Sequence, residues 1–281
     1  MTETSRIEVP PALAPHEART QLLRLSARAW LRNHATRPER ALQLLILATI
    51  LGFWEWFGRR ADPLTFAPPT KIAAEFVDMT RSGELPRALG QSLLALSVGL
   101  ALAVVVGIAV GYAMGWWTVV GRTLDPFVSA LYVVPIVALV PAMIIWFGLG
   151  LTSRVLVVFL FGAFEILLNA YAGVKNVDPY ILDVARTFGA SRLDLLRKVV
   201  FPATLPFLFV GLRMGASRAL KGMIVAEMLF AVTGLGRLII VNAGAFKMSG
   251  VLVVALTVAA VGILLTAIIQ SVERRVMRWR G

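Results

Sequence analysis

Six apolar blocks, at residues 41–58, 91–114, 126–147, 155–174, 204–231 and 250–270, decide what this chain can become. A helix that crosses a bilayer needs about 20 mostly apolar residues, and these blocks meet or approach that length. The first is the shortest and carries Glu55. Hydrophobic residues make up 58% of the 281-residue chain and charged residues 16%. A soluble domain carries roughly 25% charged residues, so this chain would be coated in apolar surface if it folded in water. An ordinary soluble globule and a disordered chain are both excluded, which leaves an all-α, multi-pass membrane protein.

The 28 Lys and Arg exceed the 16 Asp and Glu, for a net charge of +12. No basic cluster with interleaved aromatics stands apart from an apolar block, so a nucleic-acid partner is not expected. Cytoplasmic loops attract Lys and Arg, and with the N-terminus inside, seventeen basic residues fall on the cytoplasmic side against eight outside. Both termini are therefore expected in the cytoplasm. With no cysteine, and with His16 and His34 as the only histidines, the spans hold no thiolate or imidazole for a metal or catalytic centre. A membrane-embedded enzyme is disfavoured for the same reason.

Residues 1–40 hold seven arginines and no apolar run, so they read as a cytoplasmic basic tail and not a signal peptide. Leu22, Leu23, Leu25, Ala29 and Trp30 share one helical arc, with Arg24, Arg28 and Arg32 on another. Two readings stay open for this stretch, an amphipathic helix on anionic lipid or a solvated tail. Residues 41–281 form the membrane domain.

The second block carries Ala95, Gly99, Ala103, Gly107, Gly111 and Gly115 at four-residue spacing. Small residues on one face let helix backbones approach closely in lipid, either within the chain or across a dimer. In the third block Pro135 and Pro141 should kink the helix. Freed carbonyls within a membrane need partners, so such kinks tend to line a cavity, and Pro135 is a candidate pathway residue. Plain bending is the alternative.

The stretch from Lys175 to Pro206 is too polar to span, yet it has complete helix punctuation. Asp178 can cap a helix opening at Pro179 and running to about Phe188. Gly189 suits the left-handed residue that ends it. Ser191 and Asp194 resemble a capping box for a second helix from Arg192 to about Val200, which Pro202 is expected to stop. Apolar and basic residues alternate along both pieces, as on a device that docks to another protein or lies on lipid.

In the fifth block Arg213, Arg218, Lys221 and Glu227 stand out, because a charge in a span costs roughly 2.5–3.5 kcal/mol on insertion scales. Arg213 is placed to snorkel to the cytoplasmic interface. Arg218 and Lys221, three residues apart, share a face and form with Glu227 a candidate pathway for an anion. Structural pairing, for example of these cations with Glu165, is the competing reading.

The run Asp183-Val184-Ala185, three residues, Gly189, nine residues, Val199-Val200-Phe201-Pro202 resembles the EAA motif of permease subunits of bacterial ABC importers. Asp183 stands where that family has Glu, Val184 for Ala, Val199 for Ile and Phe201 for Leu. Ala67-Pro68-Pro69, the run 168–174, the run 185–191 and Val225-Ala226-Glu227-Met228-Leu229 resemble the sulfonate, taurine and nitrate type.

The resemblance implies a type I importer permease fold of six membrane helices in the bacterial inner membrane. It implies that the insert at about 178–202 is a coupling helix seated in a groove of a cytoplasmic ATPase dimer. Asp183, Val184, Ala185, Phe188, Gly189, Ala190, Ser191 and Leu193 would carry that contact. It further implies an extracytoplasmic solute-binding protein, and for Glu227, an acid recurrent in the family, a gating or structural role.

None of the five lysines is followed by Ser or Thr, so no P-loop is present. ATP and magnesium would belong to the partner ATPase, with no cofactor in this chain. Six spans are about half of what such importers assemble, which points to a second copy of the chain. An ion-coupled secondary transporter is the alternative, but no inverted repeat supports it.

Overall fold

The computed structural model describes residues 36–62, 64–230 and 232–278. The tail helix expected at 22–32, with His16 and His34, lies outside the described residues. Two compact units divide the chain, 1–57 and 58–281. The first contributes most of α1 (Thr36–Arg60).

In the second unit the order is α2 (Pro69–Arg81), α3 (Glu84–Trp116), α4 (Thr118–Val133), α5 (Ile136–Phe147), α6 (Leu151–Lys175) and α7 (Pro179–Thr187). There follow α8 (Arg192–Asp194), a π-helical segment Leu195–Val200, α9 (Phe201–Phe230), α10 (Gly234–Gly244) and α11 (Met248–Val276). Among the described residues five helices are long and apolar enough to cross a membrane, and the pair α4–α5 makes six if it counts as one span.

The core is a three-helix layer with α6 in the middle. On one side, the small residues of α3 meet α6 at backbone distance. A Cβ at Gly99 would lie 2.6 Å from Val158 Cβ, at Gly111 2.5 Å from the Leu167 carbonyl oxygen, and at Gly115 2.5 Å from Val174 Cβ. Gly107 faces the Ala163 carbonyl and Ile166 in the same way. The ladder is thus spent on a contact within the chain. On the other side, α9 presents Gly211 to Asn169, Gly215 to the Gly162 carbonyl and Gly222 to Phe161. Without a hydrophobic drive between helices in lipid, dispersion across such close faces holds the layer together.

The third apolar block is not one kinked helix. Its chain turns by 94° between α4 and α5. Pro135 is the break: the residue before it, Val134, is extended at φ −63, ψ 128, as a following proline requires, and α5 opens when Ala138 N–H bonds the Pro135 carbonyl at 2.8 Å. Pro141 lies inside α5 without ending it. The block also starts earlier than expected, since α4 opens at Thr118, with only Trp117 between it and the end of α3.

Pro202 does not stop the second insert helix. The π-helical turn Leu195–Val200 leads straight into α9, and Phe201 N–H reaches back to the Leu196 carbonyl. The wider turn changes the hydrogen-bond register just before the proline, so its missing N–H and bulky ring fall where the helix tolerates them. The second insert helix and the fifth span are therefore one continuous helical rod.

Candidate functional site

The insert is built from local backbone chemistry. The Asp178 carboxylate accepts from Tyr180 N–H at 2.9 Å, and Pro179 opens α7. At the far end Gly189 has φ +80, with its N–H on the Arg186 carbonyl at 2.9 Å and the Ala190 N–H on the Ala185 carbonyl at 3.1 Å. This pair of bonds is a Schellman motif. Ser191 Oγ accepts from Asp194 N–H at 3.2 Å, and its hydroxyl donates to the Asp194 carboxylate. The Lys198 ammonium, 2.7 Å from Asp194, and the Ser191 hydroxyl hold that carboxyl down to about 2, so it is ionised throughout the physiological range.

The two faces of the insert have different jobs. Leu195 and Val200 are buried, and Leu182 and Leu196 pack with Val174, Val177 and Val200 against the ends of α3 and α6. Outward, Phe188 is 87% exposed, Tyr180 74% and Leu193 53%, and no residue of α7 is buried. Val184 belongs to this outer ridge. Asp183 is tied to Arg186 at 2.8 Å, an exposed pair one turn apart. An apolar ridge projecting from a polar loop, with its backbone fixed by caps, is a preformed exposed surface.

The charges of α9 part company. Arg213 pairs with Glu273 of α11 at 2.7 Å. Arg218 Nε lies 2.8 Å from the buried Glu165 carboxylate of α6. The Tyr132 hydroxyl of α4 donates to the same carboxylate at 3.1 Å, and the guanidinium sits 5.7 Å from the Tyr132 ring centre. Arg218 thus makes the pairing that stood as the alternative to a pathway role, while remaining half exposed.

Lys221 does not join it. It lines an open groove of about 800 Å³ between α9 and α11, beside Gln270 and Thr266, and has no ion-pair partner among the described residues. Pro135 sits at the exposed α4–α5 bend.

Glu227 faces no opening. It is fully buried and forms the centre of a junction that the sequence did not announce. Ser92 Oγ of α3 lies 2.8 and 2.7 Å from its two oxygens, Gly236 N–H donates at 3.0 Å, and Arg154 Nη1 of α6 stands 3.6 Å away. Leu235 N–H donates to Ser92 Oγ at 2.9 Å, closing the ring.

The N-terminus of α10 therefore docks on a carboxylate, where its free N–H groups and dipole favour negative charge. Gly234 has φ +86, and a Cβ there would lie 2.2 Å from Glu227 Oε1. Ser92 and Arg154 were missed because each looks ordinary alone; the signal was a polar group at the edge of an apolar block, opposite the paired glycines Gly234 and Gly236.

The fold is that of a multi-pass helical membrane protein whose spans are tied together by ion pairs and whose polar insert has capped ends. The chain belongs to the family of binding-protein-dependent transport system inner membrane components, whose model matches residues 103–278.

It is similar to the taurine transport system permease protein TauC of Escherichia coli (strain K12). The two are 32% identical over 248 residues, which cover 85% of this chain and 90% of the relative. The putative aliphatic sulfonates transport permease protein SsuC of Bacillus subtilis (strain 168) is 29% identical over 85% of this chain and 87% of its own length. In fold it matches a chain of the inward-facing MetNI methionine ABC transporter, at TM-score 0.58 and 17% identity over 66% of this chain and 93% of that one.

The protein is an inner-membrane translocation subunit of an ABC importer and not itself the ATPase. Its family works with an ATPase and a solute-binding protein.

Proposed function

We propose that the ridge of Tyr180, Val184, Phe188 and Leu193 seats in the cytoplasmic ATPase, with Asp183, Ala185, Gly189, Ala190 and Ser191 fixing its shape. The observation that carries this is an apolar ridge left 87% exposed at Phe188 on a loop whose two helix ends are otherwise fully capped. ATP and magnesium are bound by that partner, and this chain carries no cofactor. Because the second insert helix, which carries Leu193, runs without a stop into α9, closure of the ATPase is passed from the ridge through the Gly189 turn to the span that holds Arg218, Lys221 and Glu227. Two copies of the chain face each other across the pathway, and both termini lie in the cytoplasm, as the basic-residue bias supports.

The solute is a small organic anion, a sulfonate or carboxylate. The relatives named for taurine and aliphatic sulfonates support this, as does the unpaired Lys221 in a groove at span depth, since an unpaired cation there is tolerated only where water or an anion meets it. Glu227 acts on the pathway from behind, by fixing α10 to α3 and α6.

The test is Gly189→Val in the reconstituted transporter with its ATPase and binding protein. A β-branched residue at φ +80 costs about 1–2 kcal/mol in backbone strain and redirects the second insert helix. The expected outcome is ATP hydrolysis that no longer drives uptake; uptake at the normal rate refutes the docking assignment.

A further inference from the structure

A cleft of about 460 Å³ opens where the apolar spans meet the insert, walled by Trp116 and Trp117 at the end of α3 and by Arg186 and Arg192 of the insert. A second cleft, about 380 Å³, lies along the start of α4 and is lined by Arg122 and Lys175 together with Asp125. The first cleft thus sets two guanidinium groups beside one pair of tryptophans. The Arg192 side chain has no hydrogen-bond or ion-pair partner among the described residues, and the Arg186 guanidinium holds only the exposed Asp183.

The level of the cleft identifies what reaches it. It lies at the ends of α3 and α6, where apolar sequence gives way to Trp116-Trp117 and Lys175, the composition of a headgroup layer. Phosphate is the concentrated anion there, and a guanidinium fork matches phosphate geometry.

Helical period separates this cleft from the ATPase ridge. Tyr180, Val184 and Phe188 recur every four residues on one face of α7, whereas Leu182 and Arg186, which line the cleft, are offset by two and point to the opposite face. Arg186 therefore turns away from the ridge that docks the ATPase.

We propose that this cleft binds the phosphate of an anionic phospholipid, held by Arg186 and Arg192 against the indole pair. The lipid braces both short helices of the insert against the ends of α3 and α6, so the rigidity of the coupling element depends on the anionic lipid around it.

The full-length chain in mild detergent is incubated with phosphatidylglycerol, with phosphatidylcholine or with inorganic phosphate, and the retained molecules are counted by native mass spectrometry. No ATPase is needed, so the result is independent of the docking assignment. Wild type is expected to retain phosphatidylglycerol and not phosphatidylcholine.

Arg186→Gln with Arg192→Gln should weaken retention about tenfold or more, the scale of a lost charge-assisted contact. Arg275→Gln, in the last turn of α11, should leave it unchanged. The double lysine variant, which keeps the charge, should recover part of the binding, a rescue that a misfolded insert would not show.

Three results overturn the proposal. The first is a double glutamine variant that retains the lipid as wild type does. The second is equal loss of the lipid in the glutamine and lysine variants. The third is displacement of the lipid by free phosphate at equal concentration, which would make the site one for soluble phosphate.

Discussion

At the scale of single residues, two glycines with the same backbone conformation carry different loads. Gly83 and Gly234 both sit in the left-handed region, at φ +76 and +86. A Cβ at Gly83 meets nothing within 4 Å, whereas at Gly234 it collides with Glu227. Gly83→Ala should cost only the backbone strain, about 1–2 kcal/mol. Gly234→Ala adds overpacking of about 1–3 kcal/mol and pushes the carboxylate off the α10 N-terminus. Thermal unfolding in detergent checks the order: Gly234→Ala should lower Tm clearly more than Gly83→Ala, and equal shifts would show that the Glu227 junction yields freely.

Glu165 allows a second residue-scale prediction. It is buried and holds the partly exposed Arg218. Glu165→Ala removes the partner of a half-exposed cation and should destabilise by about 1–3 kcal/mol, whereas Glu165→Ala with Arg218→Met should recover most of the loss. A double-mutant cycle read by Tm measures the coupling.

At the scale of elements, the α3–α6 contact is set by small residues. Gly111 and Gly90 lie on the same helix, but a Cβ at Gly111 would press on the Leu167 carbonyl at 2.5 Å, while one at Gly90 meets open space. Gly111→Ala is expected to destabilise by about 1–3 kcal/mol, and Gly90→Ala to stabilise by about 0.4–1 kcal/mol by restricting the unfolded chain. Opposite signs in unfolding experiments are the signature; two losses of equal size would mean that the close approach does not constrain the pair.

The elements also show where sequence reading is strong. Caps at Asp178, Gly189 and Ser191 were legible because each is settled within four residues. The break at Pro135 was legible as a disturbance but not as a 94° turn. Pro202 was misread as a stop, because a π turn can absorb a proline and nothing in the local sequence announces that register change.

For the whole molecule, orientation is the central question, and a chain without cysteine makes it easy to ask. Phe188→Cys on the insert and Arg237→Cys on α10 place single thiols at exposed positions predicted to lie on opposite sides of the membrane. A membrane-impermeant maleimide should label Arg237→Cys in intact cells and Phe188→Cys only in inverted vesicles, and the ATPase should protect the latter. Labelling of Phe188→Cys from outside would reverse the topology and remove the coupling mechanism with it.

The sequence by itself determined that the chain lives in a bilayer, how many apolar crossings it has material for, and where a capped polar insert interrupts them. Those features depend on composition and on hydrogen bonds between near neighbours. Only the tertiary structure decided that Arg218 meets Glu165, that Lys221 is left in a groove of its own, and that Glu227 closes a buried ring with Ser92 and α10. Such partners are fixed by helix rotation and register, which arise when small residues on α3, α6 and α9 bring backbones into contact. No local pattern along the chain encodes which faces will meet.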